Sequence, residues 1–380
     1  MRSFPWKWNL ADLPKPTRGT VFSCFACGGG SSMGYKRAGF RVLGCVEIDP
    51  RIAAVYKRNL HPKHQFVMDL RAFNALPDSA IPDELRNLDV LDGSPPCSTF
   101  SMSGKREKAW GKEKVFAEGQ AKQRLDDLFF VFLDTVERLR PRVVVAENVT
   151  GILKGNARGY CNEIVHRFHD AGYAVQMFVL NAAQMEVPQQ RERVFFVANR
   201  CEFPKLELAF DTPPLAFGAV KTPEGLPIRT RLGGADNLWT HLGKARPGDT
   251  NLSDVAERER GKSVRWNWRM VWDNMVMPTI MATAAIGIFR MPERTRVSLG
   301  DLVACGTFPQ DYDFSTGEDD EATYDFGRFM IGMSVPPSMM AHIADEIGRQ
   351  WLDPSRTGAR KNAAQSGARE RGNRAGDNRG

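Results

Sequence analysis

The sequence has no run of about 18 or more apolar residues, which is the length that an α-helix needs to cross a membrane. Its first twenty residues lack the apolar stretch and the small-residue cleavage site typical of a signal peptide. Cysteine is scarce, with seven among 380 residues, and this odd count does not indicate a disulfide framework. These absences exclude a membrane-spanning protein and favour a reducing, cytoplasmic location.

Patterns typical of metal sites are also sparse. Cys24 and Cys27 form one CxxC pair, and His166 and His169 lie close together, but no second CxxC or matching histidine pair follows. Because a zinc site needs about four ligands, we expect no metal. A thioredoxin-type redox role is equally disfavoured, since Cys24 falls within a predicted strand rather than at the start of a helix.

Positive charge is in excess, but most of the excess lies at one end. Of the net charge of +7, +5 belongs to residues 354–380, which have seven basic and two acidic side chains. This tail has almost nothing to bury, which predicts disorder. A second basic segment, residues 104–124, has seven basic and three acidic side chains. On charge alone a solvated loop is the favoured interpretation of that segment.

Short β-rich segments alternate with helical ones between residues 20 and 200. This alternation predicts an α/β fold with a parallel sheet covered on both sides, and ligands in such folds bind beyond the carboxyl ends of the strands. The predicted strands are 20–26, 41–49, 66–70, 89–92, 142–147, 174–180 and 193–199. The predicted helices are 32–38, 50–59, 125–139 and 160–171.

The pattern changes after residue 200. Residues 201–290 are rich in Pro, Gly and Trp and have no sustained periodicity, which indicates a separate, smaller and irregular domain. A helix is predicted again at 337–351, where one apolar face is expected to pack on the first domain.

A glycine-rich loop follows the first predicted strand. Residues 25–30 read FACGGG, and Glu47 ends the second strand. Glycines let the backbone approach a ligand at a helix N-terminus, and an acidic side chain at this place can accept both hydroxyls of a ribose. The combination favours an adenosine-bearing cofactor but leaves NAD and S-adenosylmethionine open.

The fourth predicted strand leads into a rigid turn with a cysteine. Residues 92–101 read DGSPPCSTFS, so that two prolines stiffen the backbone before Cys97. We expect Cys97 to be exposed at the sheet edge, where a positive field from the basic segment 104–124 would increase its thiolate fraction. For the other six cysteines an inert buried thiol is the better interpretation.

Charged side chains also lie at the end of the fifth predicted strand and in the segment that leads into the last one. Glu147 follows an apolar strand, where a carboxylate is costly unless it is paired or has a function. In a parallel sheet the fourth and fifth strand ends are neighbours, which would set a thiol beside a proton donor. Arg191 and Arg193 can bind a base carbonyl or a phosphate, although surface ion pairs explain them equally well.

Taken in order, these segments resemble the DNA (cytosine-5) methyltransferase family. The family order is Phe-x-Gly-x-Gly-Gly, an acidic residue, Pro-Cys, Glu-Asn-Val, Gln-x-Arg-x-Arg, a variable region and Gly-Asn-Ser-Val-Pro. The matching segments here are FACGGG (25–30), Glu47, PC (96–97), ENV (147–149), QQRER (189–193) and GMSVP (332–336). The resemblance covers about residues 20 to 350, except the variable part at 201–275. It implies a Rossmann-like methyltransferase sheet with a second, smaller target-recognition domain.

The resemblance implies S-adenosylmethionine as the cofactor. Glu47 would hold the ribose, Ile48 would lie against the adenine, and Asp69 would accept from its amino group. The full set of implied cofactor contacts is Phe25, Gly29, Gly30, Glu47, Ile48, Asp69, Pro95, Leu128, Met333 and Ser334.

The resemblance also implies the chemistry on the base. Cys97 would add to carbon 6 of a cytosine, Glu147 would hold and protonate N3, and carbon 5 would then take the methyl group. Arg193 would contact the base carbonyl, and Arg191 would support the nucleophile or a phosphate. The base must be flipped out of the duplex, and the basic segment 104–124 takes the place of the family's mobile loop that closes on phosphates. The implied DNA contacts are Ser101, Lys105, Arg106, Gln189, Arg265 and Arg269.

Three positions depart from the family pattern. Cys27 replaces the first glycine of the loop, Ser98 replaces Gln, and Met333 replaces Asn. Since Cys27 and Met333 fall near the expected cofactor, weaker cofactor binding or an altered donor stays open.

Three other functions account for part of this pattern. An RNA cytosine methyltransferase would share this machinery, but the Cys-Phe-Thr of that subgroup is not found. A DNA-binding protein with an inactive centre is supported only by the departures. An NAD dehydrogenase accounts for the glycine loop and Glu47 alone.

The expected domain division follows the family. Residues 1–19 would be an N-terminal extension, 20–200 with 324–353 the catalytic domain, and 201–323 the target-recognition domain and hinge. The expected partner is double-stranded DNA, with a restriction endonuclease of the same target as a further candidate and with no membrane partner. We expect a monomer in the cytoplasm, associated with the nucleoid when it is bound to DNA.

Overall fold

A computed structural model describes residues 2–96, 128–155, 157–227, 241–261, 268–283 and 287–353. The predicted disordered tail therefore lies outside the described residues, as does the basic segment 104–124. Within the described ranges, no helix combines the length and the apolar character that a membrane span requires.

A seven-stranded sheet organises the first part of the chain, and all seven predicted strands are present. Its strands are β1 (Thr20–Cys24), β2 (Arg41–Glu47), β3 (His64–Val67), β4 (Val90–Gly93), β5 (Val143–Val149), β6 (Ala174–Asn181) and β7 (Glu192–Asn199). Their order across the sheet is β3-β2-β1-β4-β5-β7-β6. The side chains of β4 and of Val143 to Ala146 in β5 are buried, as expected for central strands that are covered on both faces.

One strand direction corrects the sequence prediction of a parallel sheet. Strands β1 to β5 pair in parallel, but β7 runs antiparallel to both β5 and β6. The reason is the link between β6 and β7, which has only a short 3₁₀ turn at Ala182–Gln184. Without a crossover helix, the chain re-enters the sheet in the opposite direction.

Helices cover both faces of this sheet. Sequence explains their ends: α2 starts after Asp49, whose carboxylate accepts from the N–H of Arg51 at 2.9 Å, and Pro50 is its first residue. Apolar side chains of α3, α5 and α6 pack on one face. The helices are α1 (Gly30–Arg37), α2 (Pro50–Leu60), α3 (Leu70–Asn74), α4 (Asp83–Arg86), α5 (Leu128–Leu139) and α6 (Ala157–Asp170).

The second part of the chain is more regular than the sequence pattern suggested. A small sheet of order β10-β9-β8 lies between helices. Its buried residues include Met270 and Phe289, which form a separate small core with Leu252 and Val255. The elements are α7 (Leu252–Arg260), β8 (Arg269–Trp272), β9 (Ile288–Met291), β10 (Thr295–Arg296), α8 (Leu299–Gly306), α9 (Asp320–Met333) and α10 (Pro337–Ile347).

The predicted return of the chain to the first part is confirmed. Helix α10 packs on α1 and on the sheet face opposite α5, and every one of its residues is buried. The N-terminal segment also packs: Phe4 and Trp8 are buried, and the Trp8 indole N–H donates to the carbonyl of Thr307 at 2.9 Å. The two parts thus share one continuous hydrophobic cluster.

Candidate active site

A cleft opens at the carboxyl edge of strands β1 to β4, where the sequence placed the site. We call it the strand-edge cleft. Its open space is about 750 Å³ including the solvent-facing mouth. It is lined by Phe25, Cys27, Val46, Glu47, Ile48, Asp49, Ile52, Met68, Asp69, Leu70, Ser94, Pro96, Leu128 and Met333.

Six of the ten predicted cofactor contacts line this cleft. They come from separate places in the chain: the loops after β1, β2 and β3, the start of α5 and the end of α9. The six residues are Phe25, Glu47, Ile48, Asp69, Leu128 and Met333. Ser94, Pro96 and Met68 also line it, although the sequence analysis did not single them out as contacts.

Glu47 is held by the backbone. Its two carboxylate oxygens accept from the N–H of Cys27 at 2.9 Å and from the N–H of Asp49 at 3.0 Å. Burial raises the pKa of Glu47, and these two N–H donors oppose that rise because they stabilise the charged form. The carboxylate is therefore fixed in orientation at the end of β2.

Asp69 has a structural task of its own. Its side chain caps α3 by accepting from the N–H of Arg71 at 2.7 Å, and it forms an ion pair with the Arg71 guanidinium at 3.3 Å. A carboxylate has further lone pairs, so capping a helix is compatible with accepting from a ligand amino group as well.

Two glycines of the loop lie behind the cleft. Gly29 has a φ of +78°, which favours glycine, and a β-carbon there would lie 2.3 Å from Leu60. A β-carbon on Gly30 would lie 2.1 Å from the carbonyl oxygen of Val335. Neither glycine lines the cleft, so the structure gives them a packing role between α1 and its neighbours.

Cys27 and Met333, which depart from the family pattern, both line the strand-edge cleft. Burial raises the pKa of the Cys27 thiol to about 12, so that it is neutral. The hydroxyl of Ser334 lies beside it, is buried, and makes no hydrogen bond of good geometry within the described residues. Ser334 and Pro95 do not line the cleft itself.

Glu147 and Arg193 form an ion pair at the end of β5. Nε of Arg193 lies 2.9 Å from Oε1 of Glu147, and both side chains keep about a tenth of their surface exposed, 14% and 10%. This pair brings together two residues that the sequence assigned to the base. Only side-chain atoms form this ion pair. A substrate that offers equivalent groups can therefore replace either partner.

Asn148 is a site residue that the sequence analysis named only as part of a motif. Its side-chain N–H donates to the carbonyl of Pro95 at 3.2 Å, which ties the end of β5 to the Pro95–Pro96 turn. Asn148 is buried, with 4% of its surface exposed. The amide therefore fixes the segment that leads to Cys97.

Arg191 and Gln189 are buried between the two parts of the chain. Arg191 is 2% exposed, and its guanidinium donates to the carbonyls of Gly332 at 3.0 Å and Ile280 at 3.4 Å. Burial lowers its pKa to about 9. Two of its nitrogens thus donate to protein carbonyls between the two parts of the chain, and its assignment to the nucleophile or a phosphate stays a prediction.

Gln189 is enclosed in the same way, and its assignment to DNA stays a prediction. Gln189 is 1% exposed; its amide N–H donates to the carbonyl of Cys305, and its carbonyl accepts from the N–H of Ile280, both at 3.1 Å. Both ends of the amide are used to join the second part of the chain to β7.

Comparison with known families decides the identity of this site. Residues 19–237, more than half of the chain, match the family model described as C-5 cytosine-specific DNA methylase. The chain belongs to this family. The family and enzyme class predicted from the motifs are confirmed: this is a C-5 cytosine DNA methyltransferase.

Relatives of the family extend the match beyond residue 237. The type II methyltransferase M1.HphI of Haemophilus parahaemolyticus is 34% identical over 359 residues, which cover 86% of each chain. The type II methyltransferase M.NgoPII of Neisseria gonorrhoeae is 30% identical over 198 residues, about half of each chain.

Solved structures share the fold of this C-5 methylase. A prophage-encoded DNA modification methyltransferase of E. coli has a TM-score of 0.60 at 18% identity, with 87% of this chain and 99% of that chain covered. Spodoptera frugiperda DNMT2 has a TM-score of 0.60 at 14% identity, with the same coverage. The predicted methyltransferase fold is confirmed.

Several residues assigned to C-5 methylase chemistry lie outside the described residues. Of the DNA contacts predicted in described segments, Arg269 starts β8 with an exposed side chain, and its assignment stays a prediction. The assigned residues outside the described ranges are Cys97, Ser101, Lys105, Arg106 and Arg265.

Proposed function

We propose that this enzyme transfers a methyl group from S-adenosylmethionine to carbon 5 of a cytosine flipped out of duplex DNA, through a covalent adduct at Cys97. One observation supports this proposal above the others. The strand-edge cleft, with six of the predicted cofactor contacts, borders the Pro95–Pro96 turn that Asn148 holds beside Glu147. A cofactor site and a base site thereby meet at one turn.

The residues of the cleft fit the proposed cofactor. Glu47 offers a fixed carboxylate to ribose hydroxyls, and Phe25, Ile48 and Leu128 offer apolar walls to an adenine. Cys27 and Met333, at another part of the lining, are neutral and are compatible with a sulfonium and its chain. When bound, the cofactor supplies an electrophilic methyl group.

The chain's own groups prepare the ring to accept that methyl group. The Cys97 thiolate adds to carbon 6, and Glu147 gives a proton to N3, so that electron density reaches carbon 5. Arg193 leaves its pairing with Glu147 in part to donate to the base carbonyl. Carbon 5 would then take the methyl group. In the elimination that follows, carbon 5 gives its proton to a solvent base, Cys97 leaves as the thiolate, and N3 returns its proton to Glu147, so that the ring is aromatic again.

We assign target recognition to the second part of the chain, residues 201–323. Arg269, exposed at the start of β8, and Arg265 are candidates for contacts in the major groove. Ser101, Lys105 and Arg106 are assigned to DNA phosphates next to the nucleophile. We further propose a monomer and, because the relatives are type II methyltransferases, a restriction endonuclease with the same target.

Adduct trapping tests the proposal. Wild-type enzyme with S-adenosylmethionine is incubated with duplexes containing 5-fluorocytosine in place of cytosine, and the products are separated under denaturing conditions. We expect a covalent protein–DNA band with the wild type and none with C97A, while C201A, a thiol change far from the cleft, keeps the band.

The target duplex is chosen by bisulfite sequencing of DNA from cells that express the protein. A transfer RNA carrying 5-fluorocytosine serves as the parallel substrate. An adduct with the RNA alone would move the proposal to RNA, and the absence of any wild-type adduct on the mapped target would overturn it.

A further inference from the structure

The glycine-rich loop after β1 has an unfavourable backbone conformation. Phe25 and Cys27, which both line the strand-edge cleft, have φ angles of +56° and +45°, and Gly29 follows with +78°. Only the glycine adopts this left-handed region without a steric cost. Other residues persist in such conformations where the surrounding structure holds them there. The contacts around residues 25–29 therefore decide the shape of this side of the cleft.

The first part of the chain holds N–H groups of the loop. The N–H of Cys27 donates to the carboxylate of Glu47 at 2.9 Å, and the N–H of Gly29 donates to the carbonyl of Ala26 at 2.8 Å. Both acceptors belong to the first part, as the loop itself does. The carbonyl of Gly28, in contrast, is bound from the other side of the molecule.

Tyr312, from the second part of the chain, donates its hydroxyl to the carbonyl of Gly28 at 2.7 Å. Its side chain follows α8 and is buried, with 7% of the residue exposed. Burial raises the pKa of Tyr312 well above its ordinary value, so the hydroxyl keeps its proton and donates it. Neither Tyr312 nor Gly28 lines the strand-edge cleft. The hydroxyl can therefore act on a bound ligand only through the loop.

The ring of Tyr312 is itself held in place. Its centroid lies 5.2 Å from that of Phe308 and 4.5 Å from that of Phe314. The N-terminal segment packs on the same stretch of chain, where the indole N–H of Trp8 donates to the carbonyl of Thr307 at 2.9 Å. A closely packed ring has little freedom to turn its hydroxyl away from the loop.

We propose that Tyr312 is a positioning residue for the cofactor loop: its hydroxyl holds the carbonyl of Gly28 and keeps Phe25 and Cys27 in the conformation that binds the cofactor. The second part of the chain, to which we assign target recognition, thereby contributes to cofactor affinity without touching the cofactor. This inference rests on the proposed function, because it takes S-adenosylmethionine as the ligand of the strand-edge cleft.

Loss of the Tyr312 hydroxyl should weaken cofactor binding and spare the chemistry. Without this bond the loop samples conformations that do not bind, and the apparent affinity falls with the fraction of loop that is competent. The groups assigned to the base are elsewhere, since Glu147 and Arg193 pair between β5 and β7. Once the cleft is saturated, the cofactor orders the loop again and methyl transfer proceeds at nearly the wild-type rate.

The experiment measures cofactor affinity and turnover separately. For Y312F we expect calorimetry of the cofactor-free protein with S-adenosylmethionine to give a Kd about 3–10-fold weaker, as expected for the loss of one hydrogen bond. The KM for the cofactor on the mapped duplex target should rise by a similar factor, while kcat stays within about twofold of the wild type.

Tyr324 offers the matched control. It is also a buried tyrosine of the second part, belongs to the same hydrophobic cluster as Tyr312, and donates to a backbone carbonyl, that of Val297 at 3.2 Å. Because this acceptor belongs to the second part and not to the loop, Y324F should keep the wild-type Kd and KM for the cofactor. Thermal unfolding of both variants shows how far each hydroxyl contributes to stability alone.

A second variant covers the case in which Y312F does not fold. W8F keeps an aromatic ring and removes the indole N–H that bonds to Thr307. It should loosen the stretch of chain that includes Tyr312 and weaken cofactor binding in the same direction, by less. A W8F affinity equal to that of the wild type would then overturn the inference.

Two outcomes with Y312F overturn the inference. One is a Y312F protein that binds S-adenosylmethionine as tightly as the wild type, and the other is an equal loss of affinity in Y312F and Y324F, as expected for general destabilisation. In both cases a wild-type adduct on 5-fluorocytosine DNA would leave the proposed function standing. A wild type that does not bind S-adenosylmethionine would instead overturn the proposed function and the inference with it.

Discussion

Glu47 and Glu147 both lie near the carboxyl ends of strands of the same sheet, yet the structure holds them in different ways. Glu47 accepts from two backbone N–H groups that belong to the loops beside it. Glu147 is held by the side chain of Arg193. A backbone donor cannot rotate away, whereas a guanidinium can. The comparison indicates that the cofactor side is fixed in advance and that the base side is built to exchange partners.

The largest expected effect separates chemistry from binding. E147Q keeps the size of the side chain and loses the transferable proton, so methyl transfer should fall by about 10²–10⁴-fold. Cofactor affinity, measured by calorimetry on the same protein, should stay within about twofold, because Glu147 does not line the strand-edge cleft. An equal loss of methyl transfer and of cofactor affinity would contradict the separation of the Glu147 side from the Glu47 side.

The next largest effect is on stability. R191M leaves the carbonyls of Ile280 and Gly332 buried without their donor and should lower the free energy of unfolding by about 2–4 kcal/mol. The control R167M removes a more exposed arginine, which pairs with Asp134 and Glu137 at the surface, and should cost about 1 kcal/mol or less. Denaturant unfolding measures both, and equal losses would contradict the buried bridging role of Arg191.

A smaller effect falls on cofactor affinity. E47Q should weaken binding by about 10–100-fold with kcat nearly unchanged, because a hydrogen bond to a charged group is worth about 1.5–3 kcal/mol. The wild type should also lose affinity as the pH falls through the pKa of Glu47, which burial raises above its ordinary value of 4.5. The E47Q affinity should not change over that range.

Acidification is expected to affect the stability of the cofactor-free enzyme in the opposite direction to its cofactor affinity. A carboxyl group whose pKa is raised by folding stabilises the native state at low pH, and this contribution is lost as the pH rises through the folded pKa. The cofactor-free wild type should therefore gain stability relative to E47Q on acidification, while its cofactor affinity falls. A parallel trend in both quantities would contradict the assignment of Glu47 to the ribose.

The smallest effect concerns the loop at Cys27. Its φ of +45° disfavours a residue with a β-carbon. C27G should therefore be more stable than C27A by about 1 kcal/mol, since both variants lose the sulfur and only the glycine relaxes the backbone. Thermal unfolding compares the two, and an equal midpoint would show that the loop adapts to a β-carbon without cost.

Sequence reasoning predicted the elements well where the pattern is local. Runs such as Val143 to Ala146 are so apolar and β-branched that they predict a buried strand. The pair Asp49–Pro50 likewise predicts a capped helix start. The direction of β7 could not be predicted in this way, because it depends on the absence of a crossover helix after β6. The gathering of six cofactor contacts in one cleft followed from the family's motif order.

The burial of two polar motif residues could not be predicted from the sequence. Gln189 and Arg191 are polar and sit in a motif near the substrate, so exposure was the natural expectation. The structure buries both because residues of the second part, Ile280 and Cys305, lie over them. The contacts of Asp92 and Asn148 are equally invisible in the sequence. Their side chains end strands, and only the neighbouring strands and helices show what they contact.

The small sheet of the second part limits how target specificity can be transplanted between relatives. Its two faces pack in different hydrophobic cores. Met270 and Phe289 belong to the separate small core, whereas Val271 and Ile288 belong to the cluster shared with the first part. A chimera that exchanged residues 201–323 whole would cut the shared cluster. One that retained Val271 and Ile288 and replaced only the other face and its loops would keep the host's core intact.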